Sequence, residues 1–293
     1  MAQTATTGNL ESASKIIIAA ARYTEEHNAP AMALIEKFSL PKGAKQVTVP
    51  KVGQMTVSDL QDGRDIVDEE EIGMTTVDLT ASEVGAKVIL TDKLVREQQS
   101  NVFTMIGKQL GDAMARKKDT DVHSLYATLG ASLTPTALGG AAAIMNMANV
   151  VAAIAFAKAN KFGNQVYMLH HPNAVADLAA EAASVSTELT GGWSVDLLKQ
   201  FYSGIKPING VSIFEDGNLN VPTDTDDAVG VIADKSAMAV LSSVETRTEK
   251  QRDASMRATE CIITSDYGVF ELDDTKGTSV TYDAAVLAHA ATS

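Results

Sequence analysis

One cysteine, one tryptophan and 5% aromatic residues in a chain of 293 exclude several chemistries at once. Cys261 alone can form neither an intrachain disulfide nor a cysteine zinc site. It lies in the apolar run Cys261-Ile262-Ile263, where a buried structural thiol is expected and a nucleophile is not. Such sparing use of cysteine fits a reducing compartment. So few aromatics leave no stacking platform for single-stranded nucleic acid. Trp193, beside Gly191-Gly192, reads as a partly buried anchor, with a recognition role as the alternative. Positive charge is scarce too: Lys+Arg 24 against Asp+Glu 37 gives −13, the wrong sign for a sequence-independent DNA-binding face. The same surplus favours solubility at high concentration.

Long hydrophobic runs are also missing. The most apolar stretch, Ala141 to Ala157, is rich in alanine and interrupted by Asn146 and Asn149, so a buried helix is expected there and not a bilayer span. The N-terminus lacks the basic-then-apolar layout of a signal peptide. The expectation is a soluble protein made inside the cell, without a membrane partner.

Catalytic motifs are absent as well. Gly139-Gly140 and Gly191-Gly192 lack the lysine or third glycine of a phosphate cradle. No serine stands in a strained elbow, and no helix carries paired metal-binding histidines. His170-His171-Pro172 follows a strand, but neighbours on extended chain point to opposite sides, so a structural corner is expected with Pro172 in the first helical turn. Asp216, Asn218 and Asn220 match the first three ligand positions of a calcium loop. Val221 stands where that loop needs glycine and Asp227 where it needs glutamate, so a charged surface loop is the expectation. No catalytic, cofactor-binding or metal-ligating residue is assigned, no cofactor is implied, and an enzyme is not expected.

What is present is a strand feeding a long helix. Val84, Ala86 and Val88 alternate with polar neighbours, as a half-buried strand requires. Leu94, Val95, Val102, Phe103, Ile106, Leu110, Ala113 and Met114 then follow helical spacing, with Thr91 or Asp92 placed to cap. From Asp92 to Lys118 the helix would span about 40 Å at ~1.5 Å per residue. His123 beyond it suits a helix C-terminus.

Upstream, Val47, Val49 and Val52 alternate, as do Val77 and Leu79, so Lys45 to Leu90 reads as an extended two-stranded excursion. An isolated hairpin is barely stable in water, so it needs a surface to lie on. The run Asp68-Glu69-Glu70-Glu71 reads as a solvated loop, with a metal or basic-partner contact as the alternative. Ser12 to His27 has helical potential, with Ile16, Ile17, Ala20 and Tyr23 on one side, before Asn28-Ala29-Pro30 breaks it.

Thr134-Pro135-Thr136 and Gly139-Gly140 mark a boundary. Beyond it, helices are expected at 149–158, 173–183, 194–202 and 236–241, and strands at 165–169, 211–214 and 229–233. This alternation predicts a mixed sheet with helices packed on it. The tail reads as strands at 260–263, 268–272 and 279–282, with a turn at Asp273-Asp274-Thr275-Lys276-Gly277, returning to pack beside the long helix.

In this order the segments resemble a tailed-phage major capsid protein of the Hong Kong ninety-seven fold. Val47-Thr48-Val49-Pro50 with Gly85 to Leu94 resembles the family's extended loop and the start of its spine helix. Val166-Tyr167-Met168-Leu169-His170-His171-Pro172 is similar to its axial strand-to-helix corner, and Gly210-Val211-Ser212-Ile213-Phe214 to the strand after that domain's second helix. Glu249 to Ala254, Ile262, Ile263, Tyr267-Gly268-Val269 and Ser279-Val280 are similar to the closing peripheral strands.

The resemblance implies an α+β phage capsid-type fold: an N-terminal arm (1–41), an extended β-hairpin loop (42–91), a peripheral domain with the spine helix and β-strands (92–138 and 243–293), and a central α/β axial domain (139–242). It implies a major capsid protein that self-assembles through pentamers and hexamers into an icosahedral shell around double-stranded DNA. That shell would form in the host cytoplasm and end in the virion. Partners would be copies of itself, with separate scaffolding, portal and decoration proteins left open, and DNA enclosed without sequence-specific binding. A long N-terminal scaffolding segment is missing, so scaffolding is a separate protein, a removed segment, or unneeded. Lys51 lies in the extended loop, but crosslinking is not expected. Two alternatives stay open: a cellular nanocompartment shell enclosing cargo enzymes, and a soluble α/β enzyme using 139–242.

Overall fold

The computed structural model describes residues 29–52, 74–93, 101–188, 208 and 210–285. The chain opens with a short helix α1 (Ala31–Leu34) and β1 (Glu36–Ser39). A hairpin follows, β2 (Gln46–Val52) antiparallel to β3 (Met74–Thr80) with Val49 opposite Val77, as expected. The tip of that hairpin, with Asp68 to Glu71, lies outside the described residues, as do Ser12 to His27, Trp193 and the helix expected at 194–202.

β4 (Ser82–Thr91) pairs antiparallel with β10 (Ala258–Glu271), which pairs antiparallel with β9 (Met238–Asp253); β1 closes the sheet parallel to β9, in the order β1-β9-β10-β4. Helix α2 (Asn101–His123) lies against it and is about 35 Å long at ~1.5 Å per residue. Ile106, Leu110 and Met114 meet Ala86, Val88 and Leu90 of β4 and Cys261 and Ile263 of β10. The alternation of β4 therefore does what a period of two predicts: one face enters the core and the other, with Lys87 and Ile89, is left outside. Cys261 is buried there as a free thiol, and burial pushes its pKa up. On the helix, Ala113 is exposed and Ala115, two positions on, is buried. Leu94, Val95, Val102 and Phe103 have no described side-chain environment.

The second sheet has five strands, ordered β5-β11-β8-β6-β7. They are β5 (Ala137–Gly139), β6 (Val166–His170), β7 (Ser212–Glu215), β8 (Asp227–Asp234) and β11 (Gly277–Asp283). Helix α3 (Met147–Ala159), capped by the Asn146 side chain on the Asn149 amide, and helix α4 (Pro172–Glu188) cover one face. Met168 and Ile232 point into that core with Ile154 and Leu178, while Tyr167, Leu169, Val231 and Ala233 point the other way, onto Val122, Tyr126 and Leu129. Both faces are thus buried, which is why β6 and β8 read as unbroken apolar runs.

Two expectations are corrected. The segment 236–241 is not a helix: a short 3₁₀ turn (Lys235–Ala237), capped by Asp234, leads straight into β9. Met238 to Leu241 are all buried between β1 and β10, and an unbroken apolar run carries no period to separate strand from helix. The last strand does not return to the long helix. β11 pairs with β8 and β5, inside the five-stranded sheet, because its partners Gly230 and Val231 lie far away in sequence.

Candidate functional site

No described helix is long and apolar enough to cross a membrane, and no group of three His, Cys, Asp or Glu side chains among the described residues is placed to hold a metal ion. The polar side chains instead converge on two junctions that hold the parts of the fold together.

The first is the turn before β11. Lys51 Nζ of β2 donates to Asp273 Oδ1 at 2.5 Å, fastening the tip-side end of the paired hairpin strands to the body. Asp273 also accepts from the Thr275 amide and hydroxyl at 3.0 and 2.7 Å. Burial opposes its charge, but the Lys51 ammonium and these donors hold its pKa below the usual carboxylate range. Its neighbour Asp274 accepts from the amides of Gly130, Ala131 and Ser132 at 2.7, 3.0 and 2.6 Å. That carboxylate is likewise held low, against burial, by Ser132 and the other two amides. It thereby clamps the loop that leaves the long helix. A cleft of about 750 Å³ opens beside this turn, lined by Val49, Pro50, Lys51, Lys161, Asp273 and Lys276.

The second junction is at the C-terminal end of α2. His123 Nε2 lies 2.9 Å from Asp216 Oδ2, and Asn218 Nδ2 donates to Asp119 Oδ2 at 2.9 Å. Asp216 Oδ1 accepts from the Asn218 amide at 2.8 Å, an Asx turn. The structure thus brings together three residues singled out for other reasons: His123 for its helix end, Asp216 and Asn218 for a calcium pattern. Asn220 is exposed, and Asp227 is turned away to accept from the Ala142 amide at 2.9 Å. Asp119, fully buried, had no distinguishing signal in the sequence. Burial, then the nearby Asp216 charge, push its pKa up to about 6. Tyr126 stacks at a tilt against His123, with ring centroids 5.2 Å apart.

His170 and His171 form the expected corner. His170 ends β6 inside the core, its ring 5.4 Å from that of Tyr282, and burial lowers its pKa to about 4. His171 faces outward and accepts from the Asn173 amide, and Pro172 begins α4.

A nucleophile with its base and oxyanion donors is not assembled at either junction; what they hold is a hairpin strand, a helix end and a turn between two sheets. A family model described as phage capsid protein matches residues 74–292. The chain belongs to the phage capsid protein family. Solved structures share this capsid fold. The structure from Mycobacterium phage Che8 is 20% identical, covers 81% of this chain and 84% of its own, and superposes with a TM-score of 0.59. The capsid of Ralstonia phage GP4 is 12% identical, with 87% and 88% covered and a TM-score of 0.64. A virus-like particle from Pyrococcus furiosus is 8% identical, with 91% and 97% covered and a TM-score of 0.57. Comparison with curated proteins finds no match. In this capsid protein the two junctions join the hairpin, the long helix and the two sheets within one subunit.

Proposed function

We propose that this chain is a major capsid protein that assembles through hexamers and pentamers into an icosahedral shell around double-stranded DNA. The family match over residues 74–292 carries this reading. The hairpin β2–β3 supports it, since it pairs with no third strand in the described structure and is tethered by Lys51 to Asp273. Under this reading the loop that lies on a neighbouring subunit is the β2–β3 part of 42–91, since β4 belongs to the four-stranded sheet, and 1–41 is an arm whose end, β1, joins that same sheet. The four-stranded sheet with α2 forms the peripheral body. The five-stranded sheet with α3 and α4 forms the axial body, to which we add 277–283 because β11 belongs to that sheet. Heterologous contacts between such bodies close by rotation into rings.

Negative-stain electron microscopy and sedimentation of the purified protein test the reading. Closed shells, or rings of five or six, are expected; a monomer at every salt and pH would overturn it. Replacing 55–72 by a short Gly-Ser turn should leave a folded subunit that no longer forms normal shells. A second reading, a cellular compartment shell, draws on the likeness to the Pyrococcus furiosus particle. Contents decide between them: nuclease-protected DNA for the first, one copurifying protein for the second.

A further inference from the structure

The junction at the end of α2 buries two carboxylates and no permanent cation. Asp119 is 0% and Asp216 2% exposed. The groups facing them are His123 and Tyr126 from the helix and its continuation, Asn218 from the 216–219 turn, and the backbone amide of Ala31 at the start of α1. Tyr126 keeps its proton, because burial and then Tyr167, Asp216 and Asp119 push its pKa upward.

Hydrogen-bond accounting locates the proton traffic. His123 Nε2 is committed to Asp216, while its Nδ1 is buried with no hydrogen-bond partner among the described residues. Asp216 also receives the Asn218 amide, so it is well satisfied as a carboxylate. Asp119 is less so: Oδ2 accepts from Asn218, and beyond the nearby Ala31 amide Oδ1 finds no hydrogen-bond partner among the described residues. Of the two acids, Asp119 is the one whose charge is poorly compensated.

We propose that Asp119 takes up a proton on mild acidification and that this tightens the joint, locking the 216–219 turn and the segment beginning at Ala31 onto the end of the long helix. Protonation removes the repulsion between the two buried acids and leaves Oδ2 free to accept from Asn218. The direction follows from linkage. An acid whose pKa is higher in the closed joint than in the open one favours closure as pH falls. The window runs from just above pH 6, the closed-joint value, down to the ordinary value of 3.8.

Hydrogen–deuterium exchange of the purified full chain, read by mass spectrometry at pH 7.5 and 5.0 and corrected for intrinsic exchange, tests this. Peptides over 216–220 and 31–35 should gain about tenfold protection at pH 5.0 in the wild type. Asp119→Asn should be equally protected at both pH values, and His123→Gln should keep the gain. No gain in the wild type would overturn the proposal without any variant. So would a gain retained in Asp119→Asn, or one lost in His123→Gln, which would make the histidine the proton acceptor.

Discussion

Lys51 reaches across 222 residues of sequence to place its ammonium 2.5 Å from a carboxylate oxygen of Asp273. One strand of the hairpin is thereby pinned to the turn from which the final strand departs. Lys51→Met keeps the apolar stem and removes the charge. The pair is partly exposed, so the loss in subunit stability should stay below about 1 kcal/mol. The assembled fraction in sedimentation should fall further than that loss explains. An unchanged assembled fraction would show that the tether does not set the loop.

Asp274 is the stronger fastening, because one carboxylate satisfies three consecutive amides. Asp274→Ala leaves Gly130, Ala131 and Ser132 to water or to nothing. A cost of about 2–3 kcal/mol is expected, seen as a lowered denaturation midpoint. Asp274→Asn retains an acceptor oxygen and should fall between. A midpoint for Asp274→Ala equal to wild type would refute the clamp.

Gly230 sits where the sheet has no room for a side chain. A Cβ there would lie 2.3 Å from the His170 ring and 2.4 Å from the Leu169 carbonyl oxygen. Both neighbours are buried on the adjacent strand, so neither can swing aside. Gly230→Ala should destabilise by more than about 3 kcal/mol, in the range of severe core overpacking. Soluble yield and thermal melting are the readouts, and a variant that melts like wild type would contradict the packing described.

His170 imposes the opposite pH trend to Asp119. Its pKa falls from 6.5 to about 4 on folding, so the folded state favours the neutral ring. Stability from this group is fully present above 6.5 and is lost as pH falls toward 4, by about 3 kcal/mol at most. Urea midpoints at pH 7 and 4.5 should therefore separate in Asp119→Asn, where the opposing acid is gone, and converge once His170→Phe, which keeps a ring against Tyr282, is added. Equal separation in both proteins would remove His170 as the cause.

What was legible in the sequence was local. The alternation of β4, the helical spacing through Ile106, Leu110 and Met114, and the corner at His170 to Pro172 depend on neighbours within a few residues. Their structure follows from periodicity and ring constraints. The segment 238–241 was not legible, because four buried residues in a row fit either a strand or a helix. β11 was placed in the wrong sheet because pairing is a long-range choice: Val280 opposite Gly230 leaves no trace in either segment. The joint at Asp119 was hidden for the same reason. Its bonds join residues 93 and 99 apart, and a lone aspartate on a helix looks like solvent-facing charge until its partners arrive.

The hairpin β9–β10 gives the fold a beam. β9 starts at Met238 in the core that Tyr126 and Leu169 share, and runs unbroken to Asp253, at the end of the sheet where α2 packs near Leu90, Cys261 and Ile263. Tilting one body against the other therefore bends this beam instead of sliding a loop. Its weak section is marked: the pairing of β10 with β9 shifts register between Thr264 and Tyr267. In a shell whose five-fold and six-fold positions demand different tilts, flexure would collect at Ser265, and the difference between the two kinds of subunit would be a change in strand angle of a few residues' length.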